Sequence, residues 1–186
     1  SCTTFFPKGE GDEMQAESKA PDFFKPKVSV DQINKYPSRG FKDRSITKDV
    51  AEFFGVKVSY GDDGEIDTHY YPYDAGAAYK VRKLPKEFTW VNKSAGLFGK
   101  EKFGGGGKRL IICEGEIDTL TLDTVCGIPA VGVPGVNNWK KHYTRLLQDF
   151  DKVFLFADGD NAGADFGKSL SRELGNLVVV SMPEGE

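Results

Sequence analysis

From Lys108 onward, four short apolar runs alternate with segments of helical period, and this alternation restricts the fold more than any other feature of the chain. The runs are Leu110-Ile111-Ile112-Cys113, Ala130-Val131-Gly132-Val133, Val153-Phe154-Leu155-Phe156 and Leu177-Val178-Val179-Val180. Between them, helices are expected from about Ile117 to Val125, stopping at Gly127, from about Asn138 to Gln148, and from about Gly163 to Leu174, ending at Gly175. Strands without polar alternation need cover on both faces, and strand–helix repetition provides it around a parallel sheet. The expected fold class is therefore α/β, a central parallel sheet flanked by helices over residues 108–186.

The upstream part follows different rules. Residues 1–30 mix Pro7, Pro21 and Pro26 with charges and show no sustained period, so they read as a tail or linker, with Phe23-Phe24 available to dock. Residues 31–107 read as a small, basic α+β unit. A helix is expected from about Ile46 to Phe54, with Ser45 as its N-cap, Ile46, Val50, Phe53 and Phe54 on one face, and Gly55 at its end. Tyr70-Tyr71-Pro72-Tyr73 and Ala78-Tyr79-Lys80-Val81-Arg82 flank Asp74-Ala75-Gly76, which is turn chemistry, and predict a hairpin. In its second strand Tyr79 and Val81 point one way, Lys80 and Arg82 the other. Gly104-Gly105-Gly106-Gly107 is a natural hinge between the two parts. It is not an ATPase loop: Lys102 stands where that pattern needs a glycine, and Arg109 where it needs Ser or Thr.

Composition excludes several classes. Charged residues make up 28% and hydrophobic ones 39%, which is globular rather than disordered usage. No apolar run approaches the ~20 residues of a spanning helix, and the N-terminus lacks a signal-peptide pattern. The first residue is not Met, so the chain is expected to be a segment of a longer protein. Three cysteines, Cys2, Cys113 and Cys126, form no disulfide framework and suggest a reducing compartment, the cytoplasm. Cys113 and Cys126 are expected to be packed. The net charge of −3 does not point to nucleic acid, but its distribution is uneven. Residues 75–107 carry seven Lys/Arg against two Glu, whereas residues 108–186 carry eight Lys/Arg against twelve Asp/Glu. A polyanion surface beside a metal site would show such a contrast, although two ordinary solvated surfaces would show it equally.

Ligands of open α/β sheets bind beyond the carboxyl ends of the strands. After the first predicted strand stand Glu114-Gly115-Glu116-Ile117-Asp118, and after the third Asp158-Gly159-Asp160-Asn161-Ala162-Gly163. Asp158 and Asp160 lie two apart in a turn, where their repulsion is relieved by a cation between them. Oxygen-only ligands favour a hard cation such as Mg2+, with Mn2+ as a substitute. With Glu114 there is room for one metal, or two at ~3.5–4 Å. Helix capping competes for each acid taken singly. An EF-hand fails at Ala162 and Ser169, and the isolated His69 and His142 give no zinc spacing.

The segment Glu114–Asp118 resembles the E-G-x-x-D motif of the Toprim domain, and Asp158–Gly163 resembles its D-x-D-x-x-G motif. Upstream, Ser38-Arg39-Gly40-Phe41, Lys80-Val81-Arg82 and Leu97-Phe98-Gly99-Lys100 resemble, in order and spacing, the primase half of bifunctional bacteriophage primase–helicases. This resemblance covers roughly residues 36–186. It implies a DnaG-type DNA primase, in which a small basic subdomain sits beside the Toprim domain with the template between them. It implies Mg2+-dependent synthesis of short RNA primers from NTPs on single-stranded DNA, in a host cytoplasm, with fusion to a hexameric helicase in the full-length protein. Glu114, Asp158 and Asp160 are then the catalytic metal ligands, and Asp118 supports them. Lys80, Arg82 and Lys86, together with Arg39 and Lys93, would hold template or NTP; Tyr79 or Trp90 would offer a stacking platform for bases, although residues of this type more often serve packing. Such primases carry a zinc ribbon, of which only Cys2 stands here, and the family's further Asp, shortly after a final Pro-containing segment, is expected to lie beyond Pro183–Glu186. The alternatives are a Toprim-type nuclease using the same acids and a non-catalytic DNA-binding segment of a replicative helicase.

Overall fold

The computed structural model describes residues 27–103, 106–135 and 139–180. Most of the expected N-terminal tail with Cys2, Gly104 and Gly105 of the glycine hinge, Asn138 at the expected helix start, and Pro183–Glu186 lie outside the described residues.

The upstream part opens with a one-turn helix α1 (Val30–Ile33), closed by a capping box in which Ser29 and Gln32 satisfy each other's backbone N–H. Helix α2 spans Lys48–Phe54 and ends at Gly55. Its N-cap is Thr47, whose hydroxyl accepts from the Val50 N–H at 3.3 Å, not Ser45 as expected. Ser45 instead has φ 55 and closes a preceding 3-10 turn, and Ile46 pairs with Phe41 in an isolated bridge. Phe53 also departs from the expected apolar face: it is exposed, while Ala51 and Phe54 are buried.

Four strands, β1 (Lys57–Tyr60), β2 (Ile66–Tyr73), β3 (Ala78–Lys83) and β4 (Glu87–Val91), form an antiparallel sheet in sequential order. The β2–β3 pair is the hairpin expected from the turn chemistry, with Tyr71 opposite Lys80 and Tyr73 opposite Ala78. Period-two alternation then divides the sheet. Tyr70, Tyr79 and Val81 pack with Ile33 on one face. Tyr71, Tyr73 and Ala78 join a second core on the other face, which Lys80 and Arg82 share at its open end.

The downstream part has strands β5 (Gly107–Cys113), β6 (Ala130–Gly132), β7 (Phe150–Phe156) and β8 (Leu177–Val180), all parallel, in the order β6-β5-β7-β8. Helices α3 (Glu116–Cys126), α4 (Lys141–Leu147) and α5 (Asn161–Glu173) connect them. Tyr143, Leu147, Phe166 and Leu170 of α4 and α5 pack on Leu110, Ile112, Val153 and Leu155. On the other face α3 lies between the two sheets, its Leu120 buried with Phe54, Phe98, Tyr71 and Tyr73. Phe98 also exchanges two backbone hydrogen bonds with Gly132 (2.9 and 3.0 Å), tying the upstream part to the edge of the parallel sheet. Cover on both faces is thinnest at β8, where Val178 and Val179 remain 39% and 43% exposed. Cys113 is buried as expected, but Cys126, in the last turn of α3, is exposed.

Candidate active site

The first acidic turn leaves β5 at Cys113. The Thr119 hydroxyl donates to the Gly115 carbonyl at 2.7 Å and lies 3.2 Å from the Cys113 Sγ, so the first turn of α3 holds the Glu114–Gly115 peptide in place. The second acidic turn leaves β7 next to it in the sheet. The Asp158 N–H donates to Glu114 Oε1 at 3.0 Å, joining the two turns directly. Their closeness depends on Gly163: a Cβ there would lie 2.9 Å from Glu114 Oε1 and collide with the Asp158 carbonyl. No side chain fits, which gives the last glycine of the D-x-D-x-x-G pattern a steric cause.

Asp160 caps α5, its Oδ1 accepting from the Gly163 N–H at 2.8 Å. The capping role that competed with metal binding is therefore real for this residue, yet it occupies one carboxylate oxygen. Burial raises the Glu114 carboxyl above its ordinary range, and the nearby Asp158, Asp160 and Asp118 carboxylates add to the shift. Asp118 is raised in the same way, by burial first and then by Asp158 and Glu116. Anionic crowding of this kind is relieved by a cation. The donor set is all oxygen and fits Mg2+ by chemistry. Among the described residues, however, no group of three or more His, Cys, Asp or Glu side chains is already arranged to hold a metal ion.

The basic face of the antiparallel sheet stands opposite. A cleft of about 360 Å³ is lined by Glu114, Asp118 and Asp158 on one side and by Lys80, Arg82 and Lys86 on the other. Three of the five cations expected from the sequence are thus brought to the acids. Arg39 lies in an adjoining cavity, its Nε donating to the Tyr60 hydroxyl at 3.0 Å. Lys93 is exposed after β4 and lines neither cavity. Tyr79 is buried, its hydroxyl donating to Asn34 Oδ1 at 2.7 Å, and Trp90 packs on Tyr73 with ring centroids 4.9 Å apart, so both serve packing.

Several cleft residues were not singled out from the sequence. Arg44 lines it from the 3-10 turn, and Phe88 supports the cations, with Lys80 Nζ 5.4 Å and the Arg82 guanidinium 5.8 Å from its ring centroid. Glu116 is the most consequential omission. It is 5% exposed, accepts from the Tyr73 hydroxyl at 2.5 Å, and pairs with Lys80 Nζ at 2.9 and 3.1 Å. One carboxylate thereby clasps both strands of the hairpin to the start of α3. Its position beside Glu114 in the motif was visible, but its partners lie 36 and 43 residues upstream, and no local pattern signals them.

Comparison with known proteins is consistent with this arrangement. A Toprim-like family profile matches residues 111–186. The Gene 57 protein of Mycobacterium phage D29 is 39% identical over 114 residues, a stretch covering 59% of this chain and 74% of that protein. The DNA helicase/primase of Enterobacteria phage T3 is 32% identical over 114 residues, 56% of this chain but only 20% of that protein. The crystal structure of the primase fragment of the bacteriophage T7 primase-helicase superposes with a TM-score of 0.69 at 27% identity, over 88% of this chain and 74% of that one.

Proposed function

Since this chain belongs to the Toprim-like primases of bacteriophages, we propose that it catalyses nucleotidyl transfer, extending short RNA primers from NTPs on a single-stranded DNA template. The observation that carries this reading is the shared cleft, in which Glu114, Asp118 and Asp158 face Lys80, Arg82 and Lys86. A site of this composition suits a reaction whose substrates are polyanions and whose charge moves between phosphate oxygens.

Glu114, Asp158 and Asp160 would hold Mg2+, which supplies acidification of the primer 3′-hydroxyl and neutralisation of phosphate charge. Glu114 and Asp158 are fixed relative to each other by the backbone N–H bond between their turns. Asp160 keeps one oxygen available beyond its cap. Arg82 and Lys86 contact phosphates of template or NTP and set the register of the strand without reading sequence. Arg44 adds a further guanidinium to the same wall. Lys80 is held by Glu116, so its ammonium is positioned in the cleft wall before any substrate arrives. Template, primer and NTPs are the proposed ligands, and fusion to a helicase in the full-length protein is proposed from the T3 relative's name.

The test supplies the protein with single-stranded DNA, a short annealed RNA primer, labelled NTPs and Mg2+, beside Asp158→Ala. Extension by the parent and none by the variant is the expected result. Degradation of the DNA without extension would replace this reading with a nuclease. Neither activity, with DNA binding retained, would favour a non-catalytic segment.

A further inference from the structure

The edge of the parallel sheet opposite the acids carries a second concave surface. Strand β5 starts there at Gly107 and ends at Cys113 beside Glu114, so about 20 Å of strand separates the two edges. Two cavities, of about 280 and 380 Å³, share Lys102, Phe103, Gly127, Ile128 and Pro129 and form one groove. Phe53 lines the first cavity, and Lys108, Arg109 and Phe150 line the second. No residue lines both this groove and the acidic cleft.

Segments distant in sequence give the groove its shape. The Lys102 N–H donates to the Gly99 carbonyl at 2.9 Å and closes a 3-10 turn. Helix α3 ends at Gly127, and the Pro129 carbonyl accepts from the Ile111 N–H at 2.8 Å, which fixes the Ile128–Pro129 turn against β5. Phe103 packs edge-on against Phe150, with ring centroids 5.7 Å apart. Apolar groups reach solvent at this end of the molecule: Phe53 is 52% exposed, and Val125, in the last turn of α3, is 76% exposed. Lys102, Lys108 and Arg109 are exposed beside them. Ion pairs among the described residues reach none of these three cations. The partly buried Asp123 lines the groove, and Asp149 borders it at Gly106, so positive charge is in surplus.

We infer that this groove docks an extended acidic peptide of a partner protein. One bulky apolar side chain of that peptide sits against Phe103, Ile128 and Pro129, and its carboxylates lie on Lys102, Lys108 and Arg109. Unpaired cations around an apolar floor favour that chemistry over a basic or a wholly apolar segment. A nucleic-acid strand fits less well. The exposed ring here, Phe53, already has the Lys102 ammonium 5.2 Å from its centroid and Phe54 edge-on at 5.2 Å, so it is engaged rather than free to stack on a base. A partner held at this edge leaves the cleft with Glu114 and Asp158 open, so the contact recruits the protein without blocking its site. The inference does not depend on the reaction assigned to that cleft.

The test titrates a panel of fluorescein-labelled hexapeptides, each with three Asp or Glu and one Leu, Ile or Phe, by anisotropy. Matched peptides carry Asn or Gln in place of the acids. The parent should bind members of the acidic panel, less tightly as salt rises, and bind the amide peptides several-fold more weakly. Lys102→Gln/Lys108→Gln should bind the acidic peptides about five-fold more weakly, since each exposed ion pair accounts for up to a few-fold. Arg109→Gln alone should lose about two-fold, and it carries the reading should the double variant melt lower than the parent. A parent that binds no acidic peptide, or binds acidic and amide peptides equally, would overturn the docking site. Parental affinity in both variants would move the peptide elsewhere and overturn it too. Weakened binding of a single-stranded oligonucleotide by the variants, with no peptide bound, would make the groove a nucleic-acid surface instead.

Discussion

His69 shows how much one residue's environment can differ from its sequence context. It is 8% exposed, lies with its ring centroid 4.3 Å from that of Phe41, and its Nδ1 has no hydrogen-bond partner. Burial, assisted by the neighbouring Arg82, lowers its pKa from 6.5 to about 4, with Asp43 opposing weakly. The native imidazole is therefore neutral through a range in which the unfolded chain takes up a proton. Stability tied to this group is complete above about pH 6.5 and is lost as pH falls toward 4, at most about 3 kcal/mol. In urea titrations at pH 7.5 and pH 5, His69→Phe should show a smaller acid loss than the parent. An equal loss in both proteins would place the acid sensitivity elsewhere.

Helix α5 illustrates a conflict of roles within one element. Its N-cap, Asp160, satisfies the Gly163 N–H and is also proposed as a metal ligand. Asparagine caps nearly as well as aspartate but carries no charge. Asp160→Asn should thus keep the stability of the parent while losing primer extension, and Asp160→Ala should lose extension and about 1 kcal/mol. Thermal or chemical unfolding measured alongside extension separates the two roles. Full extension by Asp160→Asn would leave the residue a cap alone. The antiparallel hairpin obeys the same economy, because its β2 and β3 use one face for a small core around Ile33 and the other for both Tyr73 packing and the basic wall.

At the scale of the whole molecule, the two sheets are joined by the shared core around Phe98 and Leu120 and by the Glu116 clasp. The side chains of Lys80 and Glu116 are 16% and 6% exposed, so removing one leaves the other's charge buried. Glu116→Ala should destabilise the protein by about 3–5 kcal/mol, whereas Lys80→Met combined with Glu116→Leu should recover most of that loss. A double-mutant cycle by urea denaturation reads the coupling. Additive single losses would mean that the clasp orients the cleft without adding to stability. With either variant, extension should fall even where the fold survives, because the basic wall loses its fixed relation to the acids.

The strand and helix alternation after Lys108 was legible because continuous apolar runs, helical period and stop glycines are all local signals. The same holds for the hairpin at Asp74–Gly76 and for the placing of Glu114 and Asp158 at strand ends, since carboxyl-end positions follow from the parallel pattern, whereas the pairing of those two strands side by side did not. Local signals misled where chemistry was shared between neighbours: Ser45 and Thr47 are both good caps, and only the Phe41–Ile46 bridge selects Thr47. Exposure of Cys126 and burial of Tyr79 depend on what packs across from them, which composition does not encode. The sequence by itself determined the strand–helix alternation after Lys108, the β2–β3 hairpin and the acids that stand at the strand ends, but not α1, β1 or β4. Only the tertiary structure decided which face of the antiparallel sheet meets α3, that Lys80 is already engaged by Glu116, and that Arg44 joins the cleft. Those outcomes are contacts between segments far apart in the chain, selected by burial and charge pairing once both surfaces exist.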